Sequence, residues 1–101
     1  MEKFLFFRNV VGDSALVPAR KITSYQTDTN SNEIRFFLEA PTVGEKDTIA
    51  VSVDVDQVHK VFDSLADVLN NPSSTFIVIA DDVDNEYVDE NINGVGLIVL
   101  S

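Results

Sequence analysis

Three sets of side chains in this chain have types and spacings that could do chemistry. Asp82-x-Asp84-x-Glu86 offers alternating carboxylates, the oxygen-ligand pattern a calcium ion needs. It departs from the calcium-binding loop at Tyr87, where that loop requires Gly, and at Asn93, where it requires a bidentate Glu. The stretch therefore reads as a solvated acidic loop, and no metal is expected. His59 is the one histidine, and with Asp63 one helical turn on it reads as a surface i, i+4 pair rather than as a base or ligand. Arg8, Arg20, Lys21 and Arg35 are cations that could contact phosphate. With no Cys a Cys-His nucleophile set cannot be assembled, the one histidine is read as a surface residue rather than as the base of a Ser-His-Asp set, and no Gly-rich phosphate loop occurs. The expectation is a non-catalytic protein without a cofactor.

Charge divides the chain unevenly. Residues 1–40 balance five bases (Lys3, Arg8, Arg20, Lys21, Arg35) against five acids, whereas residues 41–101 set Lys46 and Lys60 against twelve carboxylates and carry the whole net charge of −10. An anionic or self-complementary surface is therefore sought in the neutral part, and a basic partner for the acidic part. The 101 residues, 45% hydrophobic with seven Phe and no Cys, imply one folded domain spanning 1–101 that relies on packing or oligomerisation rather than on disulfides. The four-residue apolar run closed by Arg8 is too short for a signal peptide or a membrane span, so a cytoplasmic location is expected, the host cytoplasm if the chain is phage-encoded.

The elements that must position these groups are mostly strands. Residues 3–10 are β-prone and end at the turn pair Gly12-Asp13; Ala15–Val17 meets Pro18, which implies an edge, a bend or a bulge. Residues 20–39 read as a β-hairpin about the turn formers Asp28-Thr29-Asn30-Ser31-Asn32, and 48–53 alternates as a further strand. A helix over about residues 55–70 follows from a capping-box pattern at Asp54 and Gln57 and from the stripe Val58, Phe62, Leu65 and Leu69; Asn70-Asn71-Pro72 ends it. Residues 76–80 and 95–100 are the last strands, separated by the acidic stretch 81–90 and a turn over 91–94. The fold class is mainly β.

Three strands lack alternation: Phe4-Leu5-Phe6-Phe7, Phe76-Ile77-Val78-Ile79 and Leu97-Ile98-Val99-Leu100. Successive strand residues point to opposite faces, so each run needs apolar cover on both sides. One helix cannot supply it for three strands, and a subunit interface is the preferred cover. An open sheet in a two-layer α+β sandwich is the competing arrangement.

Two local stretches resemble the Sm-like (LSm) family of small, strongly bent, SH3-like β-barrels. Asp28-x-x-x-Asn32 matches the acid and amide of its first motif, and Ile92-Asn93-Gly94 leads into a strand like its Ile-Arg-Gly motif, with Asn93 in place of Arg. The whole chain also resembles small Sm-like proteins of marine, cyanophage-like origin. The resemblance implies a barrel of five to seven short strands with one helix, and a homo-oligomeric ring of five to seven subunits in which residues 76–80 pair with residues 95–100 of the next subunit. It implies that Asp28, Asn30, Asn32, Asn93 and Gly94 recur around a central opening and read single-stranded RNA or DNA. From charge alone, only Arg8, Arg20, Lys21 and Arg35 could make a positive patch for phosphates, and Arg20, Lys21 and Arg35 are the expected contacts. Asn30 stands where the family stacks an aromatic on the base; Tyr25 and Phe36 are nearby but read as packing residues.

Two functions follow. The first is a ring-forming nucleic-acid-binding protein of RNA or DNA processing, with residues 20–35 and 92–94 as its working surface. The alternative is an acidic phage structural or inhibitory protein whose carboxylates meet a basic partner protein.

Overall fold

The run Phe4–Phe7 becomes the middle of a sheet because its two faces are both apolar. In a computed structural model describing residues 2–28, 32–39 and 47–100, strand β1 (Phe4–Val10) turns at Gly12, where φ is +92°, into β2 (Asp13–Pro18). That left-handed backbone favours Gly. Pro18, lacking an amide donor, ends β2 at the sheet edge, as its chemistry requires. The chain makes a 3-10 turn over Ala19–Lys21 and enters the hairpin of β3 (Ile22–Asp28) and β4 (Glu33–Leu38), followed by β5 (Asp47–Val53). Helix α1 (Val58–Asn70), β6 (Phe76–Asp81), the two-residue β7 (Glu86–Tyr87) and β8 (Ile92–Val99) complete the order.

Among the described residues the strands do not close into one barrel. They form two four-stranded sheets, β2-β1-β6-β7 and β3-β4-β5-β8, which corrects the expected single barrel of five to seven strands. The physical reason lies in β1: it takes β2 on one side, antiparallel, and β6 on the other, parallel, with Phe4 opposite Phe76 and Phe6 opposite Val78. A strand paired on both edges and apolar on both faces is a central strand of its own sheet. A bulge at Ile79 lets both Ile79 and Ala80 turn inward.

The core lies between the sheets. Leu5, Phe7, Ile77 and Ile79 from the first sheet meet Ile34, Phe36, Ile49 and Val51 from the second, and α1 adds Val61 and Leu65. The Phe7 and Phe36 rings pack edge to face across this space, 5.1 Å apart at 71°, and Tyr25 also packs against Phe36 at 5.4 Å. The deepest line of α1 is Val61–Leu65, so the expected stripe through Val58, Phe62 and Leu69 is rotated: those three are half-buried at the flank.

The expected capping box is also absent. Gln57 is the N-cap without a side-chain bond, because Asp54 gives its carbonyl to Gln57 N–H (3.1 Å) and its carboxylate to Asn93. β8 starts at Ile92, so residues 92–94 are strand rather than turn; the expected acidic loop holds β7. The outward side chains of the apolar runs keep substantial exposure, 60% at Phe76 and 53% at Leu97. No helix of the described residues is long and apolar enough to cross a membrane.

Candidate functional site

Sheet register decides which of the motif residues meet. Glu33 faces Ser52 and Ser52 faces Gly94 across β4, β5 and β8, while Val53 faces Ile92. Asn32, left-handed at φ +53°, accepts the Val53 N–H through its carbonyl at 2.8 Å. Asn32, Asn93 and Gly94 therefore gather at one end of the second sheet. Asp28 belongs there by its backbone, paired with Glu33; Asn30 lies outside the described residues.

Once gathered, these groups serve the fold. Asn93 Nδ2 donates to Asp54 Oδ1 at 3.0 Å, which ties β8 to the segment before α1. Gly94 lies under the Asp82 carboxylate: a Cβ there would sit 3.5 Å from both Asp82 oxygens. That carboxylate accepts the Val95 N–H at 3.0 Å and the Tyr87 hydroxyl at 2.8 Å. Burial, followed by the Asp82 hydrogen bond, pushes the Tyr87 phenol up to about 12.

The cations do not form a patch with the amides. Arg20 and Lys21 precede β3, at the far end of the hairpin from Asn32, about 20 Å away for a strand of this length. Arg20 Nε donates to Glu2 at 2.5 Å, and Lys21 lies 3.7 Å from Glu39. Arg35 projects from β4 on the exposed side, 4.0 Å from Glu33. Arg8 is committed most fully: its Nε and Nη2 fork onto Asp81 at 2.8 and 2.7 Å, Nη2 reaches Asp84 at 3.1 Å, and the guanidinium sits over the Phe6 ring at 5.5 Å. The Arg8 bond holds the buried Asp81 carboxyl below its ordinary range, and the amides of Val83 and Asp84 add to this.

The acidic stretch is built by its own carboxylates. Asp81 caps the turn at 83–84, Asp82 crosses to β8, and Asp89 accepts Ser64 Oγ at 2.5 Å and both the backbone and side-chain amides of Asn91 at 2.8 Å. Burial works to raise the Asp89 carboxyl, but these donors and Lys60 outweigh it and hold it low. Among the described residues no cluster of His, Cys, Asp or Glu is arranged to hold a metal ion. The exposed acids left without an ion pair among the described residues include Asp56, Asp63 and Asp67, on α1 and just before it. His59 makes no ion pair with Asp63 among the described residues, so the expected i, i+4 pair is not formed.

A concave region lies where sequence reasoning had not placed one, between α1 and β3. Tyr25, Phe62, Leu65, Ala66 and Leu69 line an almost wholly apolar recess of about 190 Å³. Phe62 also lines a second recess, beside Thr27, Asn32, Asp56 and His59, and Tyr25 and Leu69 also line a third, beside Lys3 and Arg20. The signal was present in the alternation of β3, which puts Tyr25 on the face toward the helix, and in the width of the helix stripe. The recess itself arises only when the two elements are docked.

No protein-family model, curated protein or solved structure matches the chain.

Proposed function

We propose that this chain is an acidic, non-catalytic binding protein that engages a basic partner protein and associates with copies of itself. The observation that carries this reading is the commitment of its arginines. Arg8, Arg20 and Arg35 each lie against a carboxylate of the same chain, and so does Lys21. A polyanion would have to displace those carboxylates and approach a net charge of −10, whereas a basic protein meets exposed acids on α1 directly. Self-association is supported by Phe76 and Leu97, exposed on β6 and β8; β8 is an edge strand, and β6 meets β7 only at Ala80 and Asp81.

A second reading, an Sm-like ring binding single-stranded RNA or DNA, draws on the convergence of Asn32, Asn93 and Gly94. The two are separated by measuring binding of an oligo-lysine peptide and an oligo-uridine to the purified chain at low and high salt, alongside its solution mass by light scattering. Oligo-lysine binding that high salt abolishes, without oligo-uridine binding, is the expected result. Oligo-uridine binding at low salt that Asn32→Ala weakens while the oligomer persists would overturn the proposal in favour of the ring.

A further inference from the structure

The first sheet has an apolar face that the core does not use. In register across β2, β1 and β6, Pro18, Phe4 and Phe76 form one row, and Leu16, Phe6 and Val78 form the next. Directly paired residues share a face, and the alternate set, Leu5, Phe7, Val17 and Ile77, is buried in the core. The six therefore point the other way. Their face is continuous, since the Phe6 and Phe76 rings pack on the diagonal at 5.8 Å. It is also uneven. Phe76 and Leu16, at diagonal corners, stand out at 60% and 54% exposure, while Phe4, Phe6, Pro18 and Val78 are half-buried.

Charge selects what can cover it. The row beyond Leu16, Phe6 and Val78 is Ser14, Arg8 and Asp81, and there the one cation and the one anion are bonded to each other. The three rows thus sum to zero on a chain of net charge −10. A basic partner finds no free acid among them, whereas a second copy of this acidic chain can approach here without opposing like charges. The two ends of the face differ. At one rim Asp84, its side chain 60% exposed, reaches Arg8, and Glu86 adds a carboxylate opposite Asp81. Beyond Pro18, at the other end, Arg20 lies against Glu2 with its side chain 65% exposed.

We infer that this face stacks on the same face of a second copy, strands antiparallel, about a two-fold axis that lies in the interface between the two apolar rows. That axis turns one row over the other. Phe76 then rests on Val78 of the partner subunit and Leu16 on Pro18 of the partner subunit, so each prominent side chain meets a half-buried one. The same rotation brings the Asp84 end of one copy to the Arg20 end of the other. The six side chains expose roughly 350 Å², within the usual range for the largest apolar patch on a monomer and under half of what each partner gives a standard interface. The dimer is accordingly a weak one, dissociating at about 10–100 µM. This rests on the self-association in the reading above and names the surface that carries it.

The test is sedimentation equilibrium of the full chain over about 1 µM to 1 mM, with a monomer–dimer equilibrium as the expected result. Leu16→Thr and Phe76→Thr are the variants, both at exposed strand positions that Thr suits. A two-fold interface contains each substitution twice, so either should weaken the dimer by about tenfold or more. Leu97→Thr, exposed on β8, should leave it unchanged. Circular dichroism melts of dilute samples should match the parent for all three. NMR on a mixture of labelled and unlabelled chains should show contacts between the Phe76 ring of one copy and the Val78 methyls of the other.

A dimer that Leu97→Thr weakens and the other two variants do not places self-association on the β8 edge, overturning this face while leaving the reading above intact. An oligomer larger than two, or a dimer without the Phe76–Val78 contact between copies, overturns the two-fold stacking. A chain that stays monomeric throughout overturns the face and the self-association together, whatever its binding to oligo-lysine. Should the Leu16 and Phe76 amides of that monomer shift on addition of phosphatidylcholine vesicles, the occupant is a lipid surface and not a second copy.

Discussion

The contact between Phe7 and Phe36 joins the two sheets, and a double-mutant cycle on it measures whether the sheets face each other as described. Both side chains are fully buried, and their rings meet edge to face at 5.1 Å and 71°. Each Phe→Leu change removes part of a buried ring and should cost about 1–2 kcal/mol. Phe36→Leu should be the costlier, because Phe36 also loses its edge contact with Tyr25. The ring–ring term adds a coupling of roughly 0.5–1.5 kcal/mol beyond the area buried. A domain of this size has a reserve of about 5–15 kcal/mol, so the double variant should remain folded over most of that range. With no Trp in the chain, urea melts followed by circular dichroism give the stabilities, and equal m-values confirm a common unfolded reference. Phe36→Leu combined with Phe76→Leu is the control, since Phe76 lies on the outward face against Phe6. Effects of Phe7→Leu and Phe36→Leu that add to within about 0.3 kcal/mol, like the control, would refute the facing sheets.

Two further outcomes test the carboxylate network. Asp81 is held below its ordinary pKa, chiefly by the Arg8 bond, so its contribution to stability is present above the unfolded value near 3.9 and lost as pH falls through the lower folded value. Asp81→Asn should therefore flatten the acid limb of a stability–pH curve; a variant curve parallel to the parent's below about pH 4 would count against the bridge. The Tyr87 phenol is raised to about 12, so its contribution is present below the unfolded value near 10 and lost as pH rises from there toward the folded value. An ultraviolet phenolate titration should show a late step that Tyr87→Phe removes. Two ordinary tyrosine transitions would contradict the Asp82–Tyr87 contact.

Much of the element order is readable from local signals. The hairpin 22–38, the strand end at Pro18 and the helix stop at Asn71-Pro72 follow from turn chemistry and from the period of apolar residues, both properties of neighbouring dihedrals. The apolar stripe places the helix face one position away from the observed Val61–Leu65 line, because a wide stripe from Val58 to Leu69 does not reveal which of its residues face the core. β7 escaped notice because Glu86-Tyr87 is too short for any period to show.

The candidate residues divide in the same way. Register brings Asn32, Asn93 and Gly94 together, as their motif context suggests, yet each polar partner of that cluster comes from a distant segment. Asp82 approaches Gly94 from the acidic stretch, and Asp54 reaches Asn93 from 39 positions away. The recess at Tyr25 joins a strand to a helix roughly 40 residues on, and no local pattern specifies such docking.

By itself the sequence determined a mainly β chain with one helix, a segregated negative charge and the lack of any cysteine, because composition and periodicity act residue by residue. Only the tertiary structure decided that β1 takes β6 as its parallel neighbour, that the strands make two sheets rather than one barrel, and that Arg8 spends its charge on Asp81, 73 positions along the chain. Strand partners and ion pairs are chosen by which faces can share one core, and that choice is made between segments that carry no local information about each other.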